Sequence, residues 1–283
     1  MEFLTGFAPL AARFDGLILD LWGVVHDGVR PYPGAVDCLA RLRDAGKRVV
    51  MLSNAPRRAA PAQAAMRRMG IDDALYTGIM TSGEAVHLAL RDRPDAWWVA
   101  LGSRVFHLGP ERDLNVLEGL ALERVQRPAE ADFVLNTGPD DHRNPTEMAE
   151  FEPVLRDCAA ARLKMICANP DLEVIRDGRR VLCAGALALR YVELGGDVRS
   201  LGKPDPAIYG PVLDLLDLPK DRVLAVGDAL RTDIAGAAAI GVASCWVLGG
   251  LHGEAMDDGP DAARDAVRAA CLAPIACVPG FAW

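Results

Sequence analysis

Residues 14–28 read FDGLILDLWGVVHDG. The predicted fold is organised around this stretch. The apolar run 16–19 is short, Asp20 follows it directly, and the chain breaks at Gly23. A short apolar run that ends near a glycine is typical of a strand buried on both faces of a parallel sheet. Ligands of open α/β sheets gather at the carboxyl ends of strands, where Asp20 is expected. A single Asp at a strand end is often only a turn former, so its meaning depends on what else reaches the same edge.

The composition is that of a globular protein with a net negative charge. Hydrophobic residues make up 51% of the 283 residues and charged residues 25%, which is ordinary for a chain that buries a core. The 31 Lys and Arg residues against 39 Asp and Glu residues give a formal charge of −8. A net acidic chain without a basic stripe disfavours nucleic acid as a partner. It also repels anions, so an anionic substrate would need a local cation or metal ion.

The cysteines and the apolar segments favour a cytoplasmic location. Seven cysteines are scattered without a C-x-x-C pair, so neither a zinc site nor a disulfide framework is indicated. This usage fits a reducing compartment. No apolar run approaches the length of a membrane span, and the N-terminus lacks the features of a signal peptide. We therefore expect a cytoplasmic protein with no membrane partner.

Short apolar runs alternate with helical patterns along the chain, which predicts an α/β fold built on a parallel sheet. Asp177 and Gly178 stand between two short apolar runs and predict the turn of a hairpin. Trp97 and Trp98 are expected to lie on a strand, with one ring on each face of the sheet. The strands predicted from apolar runs, including that of Trp97 and Trp98, occupy residues 16–19, 48–52, 96–100, 132–136, 164–168, 222–226 and 242–247.

Polar residues that can do chemistry follow several of these apolar runs. Each has an ordinary alternative role, because a Ser, Asn or Asp can cap a helix and a Lys is usually solvated. Together they supply what phosphoryl transfer needs: a carboxylate nucleophile, hard oxygen ligands for Mg²⁺, a phosphate-binding hydroxyl at a helix start, and a charge-neutralising lysine. These residues are Asp20, Ser53 with Asn54, Lys203, and Asp228 with Asp233.

Five segments in this order carry a resemblance to a known family: LILDLWGVVHDG with the following YPGA, then MLSNAP, ANPD, LGKPDPAIY and VGDALRTDIAGA. With these motifs the chain resembles the haloacid dehalogenase-like (HAD) superfamily, and specifically its class IIA branch, which includes nitrophenylphosphatase-type and pyridoxal-phosphate-phosphatase-type enzymes. The resemblance implies a Rossmann-like core with a parallel sheet and a smaller inserted α/β cap. It places the core at residues 1–80 and 168–283 and the cap at residues 81–167, because ANPD marks the return to the core in such proteins.

The resemblance also implies a catalytic role for residues of these motifs. Asp20 would be the nucleophile that forms an aspartyl phosphate with a small phosphorylated metabolite. Ser53, with Asn54 beside it, would bind the phosphoryl group, and Lys203 would neutralise its charge. The expected function is that of a hydrolase, and the expected cofactor is Mg²⁺.

A metal site is implied by the same motifs. Asp20 and Asp228 would provide carboxylate ligands, and the backbone carbonyl of Trp22 would provide another. Asp233 would support the metal's water shell or orient Lys203.

Trp22 departs from the pattern of the superfamily's phosphatases, which carry a second Asp two residues after the nucleophile. That Asp protonates the leaving group and then activates water, and an indole can do neither at neutral pH. His26 or Asp27 could take over this role, or could simply hold the turn. An aromatic residue at this position is also similar to the haloacid dehalogenases proper, which attack carbon without a metal. A further alternative is a non-catalytic protein that binds a phosphorylated metabolite on the same fold.

The predicted cap contains one polar loop that could contact substrate. Asp140, Asp141 and His142 lie in the segment that faces the core in the relatives, although a solvated loop is an equally good interpretation. Class IIA relatives often pair through their caps, so a homodimer is a further expectation. His252, which follows the last predicted strand, could approach the same sheet edge, although a surface histidine is the preferred interpretation.

Overall fold

The computed structural model describes residues 1–176, 179–249 and 259–283, with the side chain of Arg176 left out. Contacts within the chain define two compact units. Unit 1 comprises Met1–Ser53, Ala62–Met80 and Lys203–Trp283, and unit 2 comprises Asn54–Pro61 and Thr81–Gly202. The predicted turn residues Asp177 and Gly178, and His252, lie outside the described residues.

Unit 1 is built on a seven-stranded sheet. The first six strands in spatial order pair in parallel with their neighbours. The fifth strand in this order, β2 (Gly16–Leu19), is buried at all four of its positions, as expected for a strand covered on both faces. In spatial order the strands are β1 (Glu2–Phe3), β14 (Ala276–Val278), β13 (Ala243–Val247), β12 (Val223–Gly227), β2 (Gly16–Leu19), β3 (Arg48–Ser53) and β4 (Gly78–Thr81).

Helices of unit 1 connect these strands. One of them begins after Gly34 and buries Cys38, Leu39 and Leu42, which share one face at helical spacing. Gly46 follows its end with a φ of +70°, which suits glycine. The helices are α1 (Ala8–Ala11), α2 (Ala35–Asp44), α3 (Ala59–Arg68, whose start is grouped with unit 2), α8 (Tyr209–Leu216), α9 (Ala235–Ile240) and α10 (Gly259–Ala269).

Unit 2 contains a second, five-stranded parallel sheet and a short antiparallel hairpin. In spatial order the sheet strands are β11 (Asp197–Ser200), β8 (Lys164–Cys167), β7 (Phe133–Asn136), β5 (Arg104–Leu108) and β6 (Glu123–Val125). The hairpin strands are β9 (Glu173–Arg176) and β10 (Arg179–Leu182). The helices are α4 (Ser82–Asp92), α5 (Ala96–Val99), α6 (Glu152–Ala160) and α7 (Ala184–Glu193).

Two parallel sheets with connecting helices confirm the predicted α/β class and its Rossmann-like arrangement. Residues 173–176 and 179–182 pair as the predicted hairpin strands. None of the described helices is both long enough and apolar enough to cross a membrane.

The strand predicted at residues 96–100 is wrong, because this segment forms the short helix α5. Asp95 caps it: its Oδ1 accepts hydrogen bonds from the backbone N–H groups of Trp97 (2.8 Å) and Trp98 (3.4 Å). Capping of this kind outweighs the weak preference of aromatic residues for strands. The two rings therefore meet edge to face on one helical turn, with centroids 5.3 Å apart, instead of lying on opposite faces of a strand.

The assignment of residues 168–202 to the core also needs correction. Strand β11 pairs in parallel with β8, so that Asp197 lies beside Lys164 and Ser200 beside Cys167. This pairing makes the segment part of the second sheet, and unit 2 accordingly continues to Gly202. The chain returns to unit 1 at Lys203, well after the ANPD motif.

Candidate active site

Three predicted site residues leave the same edge of the unit 1 sheet. Leu19 pairs with Met51 on one side and with Val226 on the other. Asp20 comes next after β2, and its backbone N–H donates to the carbonyl of Val226 at 3.0 Å. Ser53 is the last residue of β3, and Asp228 follows β12. The carboxyl ends of three adjacent strands thus bring these side chains to one place, as the sequence predicted.

Lys203 joins two carboxylates at this edge. Its Nζ donates to Oδ1 of Asp20 in a short hydrogen bond and to Oδ1 of Asp233 at 2.7 Å. All three residues are buried. Burial opposes the charge on Lys203, but the two carboxylates outweigh it and raise the pKa of the ammonium group above its ordinary value. Lys203 therefore stays protonated.

Asp20, Asp228 and Asp233 form a buried acidic cluster, in which one oxygen of each lies within 4.8 Å of the others. Within the described part of the chain, this is the group of His, Cys, Asp and Glu side chains arranged to hold a metal ion. Burial raises the pKa of Asp20, Lys203 opposes that shift, and the two neighbouring carboxylates add to it. Three carboxylates against one ammonium group leave a formal charge of −2. Hard oxygen donors with this excess charge fit a divalent cation such as Mg²⁺.

A single π-helical turn, Leu230–Ile234, sets the position of Asp233. Its backbone N–H donates to the carbonyl of Ala229 at 2.9 Å, and its Oδ2 accepts from the N–H of Ala229 at 3.1 Å. One turn of π-helix inside a helix is often found at functional sites. Gly227 is required here, because a Cβ at that position would lie 2.2 Å from the Cβ of Asp233.

Because Gly23 has no side chain, the backbone at this position can lie close to the acidic cluster. Its φ is +90°, and a Cβ added there would lie 2.2 Å from Oδ2 of Asp228. Trp246 fixes the backbone of Asp228, because its Nε1–H donates a hydrogen bond to the Asp228 carbonyl at 2.8 Å. From the sequence, Gly23 was interpreted only as a break in the chain, and Gly227 and Trp246 were given no role in the site, although both glycines lie inside the quoted motifs.

Replacing Gly23 by Ala is expected to displace the Asp228 carboxylate and to weaken Mg²⁺ binding by about tenfold or more, because the new methyl group and that carboxylate compete for the same space. The positive φ should also cost about 1–2 kcal/mol in the free energy of unfolding. The measurement is the rise in melting temperature that MgCl₂ causes. Gly46→Ala is the matched control, since Gly46 has a φ of +70° and open space around its Cβ position. An equal Mg²⁺ effect in both variants would contradict the account.

The side chain of Trp22 packs against its own loop. A Cβ at Gly28 would lie 2.3 Å from Cη2 of the indole, and the ring of His26 meets the indole edge to face with centroids 6.0 Å apart. Nδ1 of His26 accepts a hydrogen bond from the N–H of Gly28 at 3.0 Å. Neutral His26 therefore carries its proton on Nε2.

Asp27, the other residue considered as a proton donor, holds the turn. Its Oδ1 accepts hydrogen bonds from the N–H groups of Val29 and Arg30, both at 2.8 Å. These bonds, from Arg30 first and then Val29, keep the pKa of Asp27 below its ordinary value. A carboxylate kept ionised in this way is a poor proton donor.

Asn54 is grouped with unit 2, although it follows Ser53 directly. Its Nδ2 donates to Oδ1 of Asp171 at 2.9 Å, and its Oδ1 accepts from the hydroxyl of Ser82 at 3.3 Å. The carboxamide thus has partners that the sequence did not predict. Direct binding of a phosphoryl group by Asn54 stays a prediction.

The polar loop of the predicted cap lies in unit 2. Oδ1 of Asp140 accepts from the N–H groups of His142 and Arg143, both at 3.1 Å, and Asp141 lies 3.8 Å from the guanidinium of Arg112. His142 and Asp141 are exposed. Substrate contact by Asp140, Asp141 or His142 stays a prediction.

Comparison with known proteins agrees with this geometry. The family model for haloacid dehalogenase-like hydrolases matches residues 17–123, and a HAD-hydrolase-like model matches residues 200–270. Chronophin from Rattus norvegicus is 30% identical over 244 residues, which cover 82% of this chain and 76% of that protein.

Solved structures show the same likeness. A haloacid dehalogenase-like hydrolase from Brucella suis 1330 superposes with a TM-score of 0.85 and 31% identity, over 99% of this chain and all of that one (100%). Glycerol phosphate phosphatase from Mycobacterium tuberculosis, solved in complex with magnesium, has a TM-score of 0.64 and 29% identity, and the match covers 85% of this chain and 70% of that one.

Proposed function

This chain belongs to the haloacid dehalogenase-like hydrolase family, and on that premise we propose that it is a Mg²⁺-dependent phosphatase of small phosphorylated metabolites that works through an aspartyl phosphate on Asp20. One observation carries the proposal: Lys203 and the acidic cluster of Asp20, Asp228 and Asp233 lie together in a buried site at the carboxyl edge of a parallel sheet. That combination supplies a nucleophile, a fixed positive charge and ligands for a divalent cation.

In this proposal Asp20, Asp228 and the backbone carbonyl of Trp22 would hold the metal, with Asp233 in support. When bound, Mg²⁺ supplies positive charge that offsets the charge of the phosphoryl oxygens. The M. tuberculosis relative crystallised with magnesium supports a divalent metal for proteins of this kind.

The reaction itself is assigned to Asp20. One oxygen of its carboxylate attacks phosphorus while the bond from phosphorus to the leaving-group oxygen breaks, which leaves a phosphoryl group on Asp20. Water then attacks that phosphorus, releases inorganic phosphate and regenerates the carboxylate. Lys203 donates to Oδ1 of Asp20, so Oδ2 is the proposed nucleophile. Ser53 is proposed to donate its hydroxyl hydrogen to a phosphoryl oxygen.

The leaving group needs a proton unless it is already a weak base. Trp22 occupies the position where a second Asp would provide this proton, and its indole cannot replace it. We therefore assign proton donation to the Nε2–H of His26. Nδ1 of His26 accepts a hydrogen bond from the N–H of Gly28, and the carboxylate of Asp27 accepts hydrogen bonds within the turn.

The experiment that tests the function is hydrolysis of 4-nitrophenyl phosphate and of a panel of phosphorylated metabolites, before and after removal of metal with EDTA. We expect chelation to abolish turnover and added MgCl₂ to restore it. The panel includes glycerol phosphate, which is the substrate named for the M. tuberculosis relative. Activity that survives chelation would contradict the proposal, and halide release from 2-haloacids without metal would favour a dehalogenase instead.

His26→Asn is expected to slow hydrolysis of alkyl phosphates by ~10²-fold, because general acid catalysis is worth ~10²–10⁴-fold. Hydrolysis of 4-nitrophenyl phosphate should change little, since nitrophenolate leaves without a proton. Asn keeps an acceptor for the Gly28 N–H but has no counterpart of Nε2–H. The readout is the ratio of kcat/KM for the two substrate classes. An equal loss on both would mean that His26 only supports the loop.

The proposal also includes a cytoplasmic location, the involvement of Asp140, Asp141 and His142 in substrate contact, and pairing of two copies of the chain. Light scattering during size-exclusion chromatography would test the pairing, with a mass of one chain as the contradicting result.

A further inference from the structure

Two active-site residues stand where the chain passes from one unit to the other. Ser53 ends the first segment of unit 1, and Asn54 begins unit 2. Gly202 ends unit 2, and Lys203 begins the last segment of unit 1. The neighbours of the phosphate-binding hydroxyl and of the charge-neutralising lysine therefore both belong to unit 2.

Within unit 2, Gly202 lies close to the buried side chains of Asn54 and Ser82. Nδ2 of Asn54 donates to Oδ1 of Asp171 at 2.9 Å, and Oδ1 of Asn54 accepts from the hydroxyl of Ser82 at 3.3 Å. Gly202 packs on the same atoms, because a Cβ there would lie 2.3 Å from Oγ of Ser82 and 2.7 Å from Oδ1 of Asn54. Asn54 is 4% exposed and Ser82 is fully buried. We call these four residues the Asn54 clamp.

Asp171 is itself fixed by the backbone around it. Its N–H donates to Oδ1 of Asn169 at 3.0 Å, and its carbonyl accepts from the N–H of Gly185 at the start of α7 at 3.1 Å. A carboxylate has only acceptor atoms, so it selects the Nδ2 end of the Asn54 carboxamide. Oδ1 is then left facing Ser82 and Gly202.

We infer that Asn54 is a positioning residue, oriented by Asp171, that holds together the peptide that follows Ser53 and the peptide that precedes Lys203. The inference rests on the proposed function, in which Ser53 binds the phosphoryl group and Lys203 neutralises charge. It replaces direct phosphoryl binding as the role of the Asn54 side chain. Displacements of about 1 Å at a catalytic group can cost ~10²-fold in rate, so a clamp next to both residues matters for turnover.

Direct phosphoryl binding and the positioning role make different predictions for a negative charge at position 54. A carboxylate beside a phosphoryl group would repel it, whatever stands at position 171. A carboxylate in the clamp is compatible with Ser82, whose hydroxyl can donate to it, provided that position 171 offers an N–H donor. Exchanging the two side chains, Asn54→Asp with Asp171→Asn, recreates the same donor and acceptor pair in the opposite direction.

The test compares Asn54→Asp, Asp171→Asn and the double variant in kcat and KM for 4-nitrophenyl phosphate with MgCl₂, and in the inhibition constant of inorganic phosphate. Asn54→Asp alone places two carboxylates against each other, and kcat should fall ~10²-fold. Asp171→Asn should cost less than ~10-fold, because its amide can turn its oxygen towards Asn54. The double variant should recover to within ~10-fold of the unmodified protein, with phosphate inhibition restored in parallel.

A double variant as slow as Asn54→Asp would overturn the inference and support direct phosphoryl binding by Asn54. Hydrogen exchange of the peptides around residues 50–55 and 200–205 provides a readout that needs no catalysis. Protection should fall in Asn54→Asp and return in the double variant, and unchanged protection in all variants would also overturn the inference. Failure of the proposed function can be told apart from failure of this inference. If the proposed function were wrong, the unmodified protein would show no turnover that depends on Asp20, but hydrogen exchange would still report on the Asn54 clamp.

Discussion

Replacing Asp20 by Asn is expected to lower kcat/KM for 4-nitrophenyl phosphate by ~10⁴-fold or more, because removal of a catalytic nucleophile costs at least that much in well-studied hydrolases. A carboxamide cannot form the phosphoryl–enzyme bond and is a weaker metal ligand than a carboxylate. Asp20 accepts from Lys203 and has a carboxylate oxygen within 4.8 Å of oxygens of Asp228 and Asp233, so its replacement affects the lysine and both other acidic residues. Steady-state kinetics with MgCl₂ measure the effect.

The fold should survive this change. Burial disfavours the charge of Asp20, and removal of one buried carboxylate from an acidic cluster relieves repulsion. We expect the melting temperature of metal-free Asp20→Asn to be equal to or above that of the unmodified protein. Asp214→Asn, an exposed position on α8, is the matched control and should keep full activity. Activity of Asp20→Asn comparable to that control would exclude an aspartyl phosphate at this position.

Replacing Trp22 by Asp is expected to raise kcat/KM for alkyl phosphates by up to ~10²-fold, because the new carboxyl group would donate a proton to the leaving group in addition to His26. The new carboxyl group would stand two residues after the nucleophile, where phosphatases of the superfamily carry theirs. Hydrolysis of 4-nitrophenyl phosphate should rise much less, because its leaving group needs no proton. The measurement is the ratio of kcat/KM for glycerol phosphate and 4-nitrophenyl phosphate.

Trp22→Phe is the control for this prediction. It keeps an aromatic ring against Gly28 and His26 but adds no carboxyl group, so it should not raise the rate on alkyl phosphates. A rise with Phe equal to that with Asp would mean that the indole had only restricted access to the site. No rise with Asp would show that proton donation to the leaving group does not limit turnover in the unmodified protein.

Much of the unit 1 sheet and of its site could be predicted because both depend on short segments of sequence. The strands β2 and β12, and residues 49–52 of β3, are continuous apolar runs, and such runs reveal buried parallel strands without reference to distant residues. Asp20, Ser53 and Asp228 stand at their ends, so a correct strand assignment also placed these side chains. Parallel pairing then brought them to one edge.

Unit 2 was predicted less well because its strands depend on partners far away in the chain. Strand β11 reads DVRS and is partly exposed, so its sequence has no apolar pattern, and it is a strand because it pairs with β8. Strand β5 was overlooked, since Arg104 and His107 interrupt its apolar run. The helix α5 formed where aromatic residues suggested a strand, because Asp95 caps it.

The orientation of Asn54 illustrates the same limit within the site. Its partner Asp171 lies 117 residues further along the chain, and no local pattern connects the two. The motif showed that a polar residue follows Ser53, but the direction of its side chain depends on tertiary packing. The acidic cluster was accessible to sequence reasoning because Asp20 and Asp228 follow recognisable strands, and Asp233 lies in the same short motif as Asp228.

The most direct test of the central claim is mass spectrometry of the enzyme quenched in acid during turnover of 4-nitrophenyl phosphate with MgCl₂. The account predicts that the peptide containing Asp20 gains the mass of one phosphoryl group, and that the gain is absent after chelation and in Asp20→Asn. A phosphoryl group on any other residue, or turnover in which Asp20 is never modified under conditions that preserve acyl phosphates, would contradict it.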